Sequence, residues 1–176
     1  DEFSSWYLEM VKPAYGQPID HTTYEKTLSF FDTLLKLLHP FMPFITEELW
    51  QHIYERQAGE SIMVQTLATP ESFDDAIITQ FEAAKEVISG IRTIRLQKNI
   101  AQKEALTLEV VGTNPLAAFD SVITKLCNLS AISTVETKAD GAASFMVGTT
   151  EYAVPLGSLI NVEEELKKLE ADLKYQ

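Results

Sequence analysis

Residues 38–50 read Leu-His-Pro-Phe-Met-Pro-Phe-Ile-Thr-Glu-Glu-Leu-Trp, with prolines at positions 40 and 43. Apolar residues at steps of four and three lead into this stretch, which places them on one face of a helix. They are Tyr24, Leu28, Phe31, Leu35 and Leu38. Because proline disfavours the α conformation in the residue before it, this helix is expected to end at His39.

A second helix is expected to begin after the prolines, with Thr46 as its N-cap and Trp50 facing the core. Between the two helices, Phe41, Met42, Phe44 and Ile45 are expected to pack into the turn. We call residues 39–45 the elbow. Two helices joined by a short apolar elbow predict the corner of a helix bundle.

Further helices are predicted on both sides of this corner. An amphipathic pattern opens the chain and stops before Pro13, and the longest pattern covers residues 74–98. At 1.5 Å per residue the second of these helices would be roughly 35 Å long. Gly90 lies inside it and costs about 1 kcal/mol relative to alanine, so it is expected to allow a neighbouring helix to approach closely.

The pattern changes after residue 103. Alternation of Leu106, Leu108 and Val110 with polar or smaller residues predicts a strand. A helix after Asn114-Pro115 and three short strands complete a small α+β unit. The strands are predicted at residues 133–137, 144–147 and 151–154.

The last segment carries a coiled-coil pattern, with apolar residues at steps of four, three and four. They are Val162, Leu166, Leu169 and Leu173. About two heptads are too short for an independently stable helix, so the chain is expected to be cut from a longer protein. The overall prediction is a mainly α protein with a helical bundle over 1–103, an α+β unit over 104–160 and the start of a coiled-coil arm over 161–176.

Composition narrows the class of protein. The chain has 176 residues, 45% of them hydrophobic and 23% charged, which is typical of one good-sized globular domain or of a domain with an appendage. Neither a run of about 18 apolar residues nor a signal peptide is present, so no membrane partner is predicted. Cys127 is the single cysteine, which fits a reducing compartment and predicts a cytoplasmic location.

The charge pattern argues against general nucleic-acid binding, since the formal net charge is −12. One basic cluster stands out, because no acidic residue lies between Glu86 and Glu104. It contains Arg92, Arg95, Lys98 and Lys103. At spacings of three, the first three would form a ridge on one side of a helix that can hold phosphates. On charge alone, a solvated helix end that complements the helix dipole is the favoured alternative.

No catalytic or metal-binding pattern is found. His21, His39 and His52 are scattered, and Cys127 has no partner at ligand spacing. The sequence also lacks a nucleophile motif and a glycine-rich phosphate loop. We therefore predict no catalytic residue and no metal ligand in this chain.

Residues 38–50 resemble the anticodon-binding helical domain of class I aminoacyl-tRNA synthetases of the valine, isoleucine and leucine group. Three further segments resemble the valyl members: Trp-Tyr-Leu-Glu-Met-Val-Lys-Pro at 6–13, Ile-Arg-Thr-Ile-Arg at 91–95 followed by Asn99-Ile100, and residues 155–166. The third segment is similar to the approach to the C-terminal coiled-coil arm. The resemblance covers nearly the whole chain and is loosest over 113–150.

The resemblance implies a C-terminal fragment of a bacterial, cytosolic valine-tRNA ligase, whose partners are valine tRNA and the other domains of the same enzyme, with no role for DNA. It implies that basic side chains hold the anticodon stem-loop. The expected RNA-contacting residues are Arg92, Arg95 and Lys98, followed by Lys103, Lys12 and Tyr15. ATP with magnesium, and valine, would bind a catalytic domain outside this chain, because the sequence has neither a His-Ile-Gly-His type motif nor a Lys-Met-Ser-Lys-Ser loop.

Two alternatives remain open. The chain could be the same module of an isoleucyl, leucyl or methionyl enzyme. It could also be a helical protein-interaction module without an RNA role, which the acidic balance favours.

Overall fold

The structure of this protein is a computed structural model that describes residues 2–13, 16–67, 69 and 72–157. Tyr15 and the coiled-coil segment 161–176 therefore lie outside the described residues. The chain divides into two compact units between Phe73 and Asp74. This division differs from the predicted boundary at residue 103.

The first unit is helical. A π-helical turn, Phe3–Tyr7, continues into α1 (Leu8–Val11); α2 (His21–Leu38), α3 (Pro43–Ile53) and a 3-10 helix (Ile62–Val64) follow. Packing of α2 against α3 confirms the predicted helical corner. Its core consists of Leu35, Trp50 and Ile62, with Phe31 and Ile53 packed against them.

The elbow confirms one prediction and corrects two. As expected from Pro40, α2 stops at Leu38 and His39 is its C-cap. The N-cap prediction for Thr46 is wrong, because α3 already begins at Pro43, where the missing N–H and the fixed φ of proline suit the first helical position.

Thr46 is instead buried inside α3, where its hydroxyl donates to the Met42 carbonyl at 2.7 Å and lies 2.8 Å from His39 Nδ1. The apolar side chains of the elbow are not packed into the turn. Phe41 is 82% exposed and Phe44 is 90% exposed. The elbow is therefore held by polar contacts of Thr46 and not by its aromatic residues.

The second unit combines two helices with a four-stranded sheet. Its elements are α4 (Asp75–Gln97), β1 (Leu106–Val111), a 3-10 helix (Ala117–Phe119), α5 (Asp120–Cys127), β2 (Leu129–Val135), β3 (Ala143–Val147) and β4 (Thr150–Val154). The strand order is β2-β1-β4-β3. β1 and β2 are parallel, joined through α5, whereas β4 is antiparallel to both β1 and β3. A mainly α chain with a small α+β unit is thereby confirmed.

Helix α4 belongs to the second unit and not to the first, because it packs on α5 and β3. Its buried face repeats at three and four residues. The buried apolar residues are Ala84, Val87, Ile88, Ile91 and Ile94. The amphipathic pattern thus predicted the helix correctly, but the pattern does not specify which partner covers the apolar face.

Gly90 permits the close approach of a strand, not of a helix. A Cβ atom at this position would lie 2.8 Å from Phe145 Cζ and closer still to Phe145 Cε2. The Phe145 ring is itself stacked on Tyr152, with ring centroids 5.7 Å apart. There is consequently no room for a methyl group unless the β3 side chain moves.

We expect Gly90→Ala to lower the free energy of unfolding of the second unit by about 1–3 kcal/mol, because overpacking exceeds the gain in helix propensity. Chemical denaturation followed by the reactivity of Cys127 measures this loss. Ser89→Ala, at the exposed neighbouring position, is the control and should change stability little. A Gly90→Ala variant as stable as the wild type would show that the ring of Phe145 does not restrict this position.

Candidate nucleic-acid interface

The predicted basic cluster lies at the C-terminal end of α4 and in the turn that follows. Arg92 and Lys103 are exposed, and Lys98, the C-cap of α4, is half-buried. Arg95, however, is only 2% exposed. The structure therefore corrects the prediction of one exposed ridge formed by Arg92, Arg95 and Lys98.

Arg95 is bound to backbone carbonyls from two separate segments. Its Nη1 donates to Ala101 at 2.9 Å, and its Nη2 donates to Glu104 at 2.9 Å and to Cys127 at 2.7 Å, with Asn128 at 3.2 Å. Burial lowers the pKa of this guanidinium by desolvation. Because the cation sits at the last carbonyls of α5, the helix dipole favours its charge. Arg95 therefore links the turn after α4 to the end of α5, a role that we call a tie. Because it is buried in this role, we no longer consider it a candidate for RNA contact.

The turn after α4 is fixed by its own backbone as well. Asn99 has a φ of 53°, and Ile100 N–H donates to the Arg95 carbonyl at 2.8 Å while Asn99 N–H donates to the Leu96 carbonyl at 3.2 Å. This is the Schellman arrangement, in which a left-handed residue, usually glycine and sometimes asparagine, closes a helix. Asn128 Nδ2 also donates to the Gln102 carbonyl at 3.1 Å. Lys103 therefore lies between two residues whose backbone is fixed: the Gln102 carbonyl accepts from Asn128, and the Glu104 carbonyl accepts from Arg95.

A hollow of about 420 Å³ opens at this helix end, and we call it the α4-end hollow. Its lining residues are Arg92, Arg95, Leu96, Asn99, Ile100, Ala101 and Gln102. Leu96 is 83% exposed, so its aliphatic side chain is available at the surface. Leu96, Asn99 and Gln102 line this hollow but were not among the site residues predicted from the sequence. The sequence offered one indication, because Leu96 is an apolar residue that lies outside the buried face of α4.

Two further basic residues, the predicted Lys12 and also Arg56, lie in the first unit. Lys12 is exposed just after α1, in the first unit, and pairs with Glu9 at 3.5 Å. Arg56 packs its guanidinium over the Trp50 ring, 3.6 Å from the centroid, and lies 3.7 Å from Asp32 Oδ1. Of the three arginines in the chain, only Arg92 is exposed.

The described ranges offer little else for chemistry. They contain no group of three or more His, Cys, Asp and Glu side chains able to hold a metal ion. Burial raises the pKa of the Cys127 thiol to about 11, so the nucleophilic thiolate is scarce at neutral pH. Among these same residues, no helix has both the length and the apolar character needed to cross a membrane.

Comparison with known proteins identifies relatives of the whole chain. Residues 1–111, which include the basic cluster and the α4-end hollow, match the family described as the anticodon-binding domain of tRNA ligase. The chain is 76% identical over 176 residues to the valine–tRNA ligase of Phocaeicola vulgatus and 66% identical over 178 residues to that of Bacteroides thetaiotaomicron; each alignment covers all of this chain and 20% of the relative. The valine–tRNA ligase of Enterococcus faecalis is 36% identical over 98% of this chain and 21% of its own length. The chain thus spans about a fifth of the curated relatives it matches.

Proposed function

This chain belongs to the family of anticodon-binding domains of tRNA ligases, and we propose that it binds the anticodon stem-loop of a valine tRNA. The family match supports the tRNA as partner. The choice of valine is supported by relatives that are valine–tRNA ligases at up to 76% identity.

The observation that carries the proposal is the presence of three cations, Arg92, Lys98 and Lys103, at the C-terminal end of α4 and in the turn that follows; we call them the α4-end cations. No acidic residue lies between Glu86 and Glu104, in a chain whose net charge is −12. Lysine and arginine side chains supply most of the affinity for phosphate backbones, and an acidic surface elsewhere repels RNA. Binding is consequently directed to this end of α4.

The longer protein would use this contact to hold the tRNA for aminoacylation by a catalytic domain outside the chain. Correct positioning of a bound substrate lowers the barrier of a reaction at a distant site. ATP with magnesium, and valine, would bind that other domain; the residues of this chain do not fit them, since its sequence has no glycine-rich phosphate loop and no class I activation motif. The single cysteine supports a cytoplasmic location for the protein.

We expect the 176-residue chain to bind a valine tRNA transcript more tightly than an isoleucine tRNA transcript at low salt. The double variant Arg92→Ala, Lys103→Ala should bind more weakly. The slope of log affinity against log salt should become shallower by about 1–2, because fewer phosphate contacts form and fewer counterions are released on binding. The matched control is Lys26→Ala with Lys125→Ala, which removes the same charge from two other exposed positions.

Equal losses in both double variants would show that net charge, and not the α4-end cations, determines binding. Tighter binding of the isoleucine transcript would contradict the assignment to valine and favour an isoleucyl enzyme as the source. Equal affinity would show that this chain does not distinguish the two anticodons.

One observation favours a second function, namely the exposure of Phe41 and Phe44 in the elbow. Exposed aromatic residues are typical of protein interfaces. A protein-interaction role without RNA predicts no tRNA binding at low salt, so the same titration separates the two functions.

A further inference from the structure

We propose that the α4-end hollow receives one unstacked nucleotide of the anticodon loop, with its base inside and its phosphate at Arg92. This inference depends on the proposed tRNA binding and adds a base-contacting site to it. Sequence-specific proteins read single-stranded RNA in this way, by taking up splayed bases through hydrogen bonds and packing.

The rim of the hollow has the chemistry that a base requires. Asn99 and Gln102 are exposed and make no side-chain hydrogen bond to any residue in the described part of the chain. Each amide offers a donor and an acceptor together, which matches the mixed donor and acceptor edge of a nucleobase. Neither lysine nor arginine, which only donate, could provide this pairing.

Two of the residues that line the hollow are apolar. Leu96 is 83% exposed, and Ile100 is half-buried. An aliphatic side chain next to two amides provides a surface for the face of a base while the amides reach its edge. A phosphate alone would not benefit from this apolar wall, so the lining favours a whole nucleotide over an inorganic anion.

The hollow is already formed in the free protein. The Schellman turn, the four carbonyls held by Arg95 and the bond from Asn128 to Gln102 fix its lining backbone. The Nε of Arg95 is buried and has no hydrogen-bond partner among the described residues. A preformed site loses little conformational entropy on binding, which favours affinity from few contacts.

Size and charge agree with this occupant. At about 420 Å³ the hollow falls in the usual range of small-ligand pockets, roughly 300–1,000 Å³. Arg92 lies on its lining and is exposed. No carboxylate is among the lining residues, so none of them would repel the phosphate of the bound nucleotide.

The test is Asn99→Gly with Gln102→Ala in the 176-residue chain, titrated with the valine tRNA transcript at several salt concentrations. Glycine accepts the φ of 53° at position 99, so the turn is kept while the amide is removed. We expect binding to weaken about 5- to 100-fold, as for the loss of a hydrogen-bonded contact to a base edge. The slope against log salt should stay unchanged, because no phosphate contact is lost. Gln97→Ala, exposed on α4 but outside the hollow, is the control.

A second set of titrations uses the same transcript with one anticodon-loop nucleotide at a time made abasic. One abasic position should weaken binding to the wild type and have no effect on the double variant. If every abasic transcript loses the same affinity with both proteins, or if the double variant binds like the wild type, the hollow is not a base site while the proposed function stands. If the unmodified transcript does not bind the wild type at low salt, the proposed function and the hollow site are both rejected.

Discussion

Arg95→Met is expected to lower the free energy of unfolding of the second unit by about 3–5 kcal/mol, because it removes four hydrogen bonds from a charged donor, each worth about 1.5–3 kcal/mol where no other donor replaces it. Four carbonyls would lose their guanidinium donor, including those of Cys127 and Asn128 at the end of α5. The carbonyls of Ala101 and Asn128 keep a backbone donor, namely the N–H of Glu104 at 3.0 Å and of Leu106 at 3.3 Å. Methionine fills most of the same volume but donates no hydrogen bond. A buried acceptor without a donor costs about 1–3 kcal/mol, and the exposed turn at Ala101 and Glu104 can recover part of this loss from water.

Cys127 gives a direct measurement of this effect. It is the only cysteine, it is buried, and its pKa of about 11 suppresses reaction in the folded state, so thiol labelling reports opening of the second unit. A loss of 3 kcal/mol or more should speed labelling by over about 100-fold when opening is in equilibrium. Arg92→Met, three residues away and exposed, is the control and should change labelling little. Unchanged labelling in Arg95→Met would contradict the role of Arg95 as a tie.

Trp50→Ala is expected to cost the first unit about 3–5 kcal/mol, since it empties the largest buried side chain of that core. The indole ring is 1% exposed, its Nε1 donates to Asp32 Oδ1 at 2.7 Å, and the Arg56 guanidinium lies 3.6 Å from its centroid. Its removal also leaves Asp32 without this donor and Arg56 without the ring. A total stability of 5–15 kcal/mol is typical of a small domain, so the variant should be close to unfolding.

Thermal denaturation followed by far-UV circular dichroism measures the loss. Trp50→Phe is the matched variant, because it keeps an aromatic ring while it removes the hydrogen bond to Asp32 and part of the buried ring volume, for which we expect about 1–3 kcal/mol. If Trp50→Ala and Trp50→Phe were equally destabilised, the hydrogen bond to Asp32 and not ring burial would hold this corner. If neither changed the transition, Trp50 would not be part of the core.

Local rules predicted the corner of the first unit well. The end of α2 follows from Pro40, whose effect acts on the adjacent residue and needs no tertiary context. The start of α3 was misplaced because Thr46 matches the N-cap preference, yet Pro43 meets the requirements of the first helical position three residues earlier. The exposure of Phe41 and Phe44 could not be predicted, since hydrophobicity alone does not decide which side chains a small core can cover.

The basic cluster shows where a charge pattern was insufficient. Arg92, Arg95 and Lys98 are spaced by three, but Arg95 also lies four residues after Ile91 and next to Ile94, on the buried stripe of α4. Its position on this apolar face predicts that the Arg95 side chain is buried. Its acceptors at Cys127 and Asn128 are more than thirty positions away, so the tie itself depends on tertiary structure. The α4-end hollow depends on the same contacts and was not predictable either.

The most direct test of the proposed interface is chemical acetylation of lysines in the 176-residue chain, with and without the valine tRNA transcript, read out by mass spectrometry. The proposal predicts that bound tRNA slows modification of Lys98 and Lys103, while Lys138, which pairs with Glu151 at 2.7 Å in the same unit, reacts at an unchanged rate. Bound tRNA that leaves Lys98 and Lys103 unprotected, or that protects Lys138 equally, would contradict the end of α4 as the RNA-binding surface.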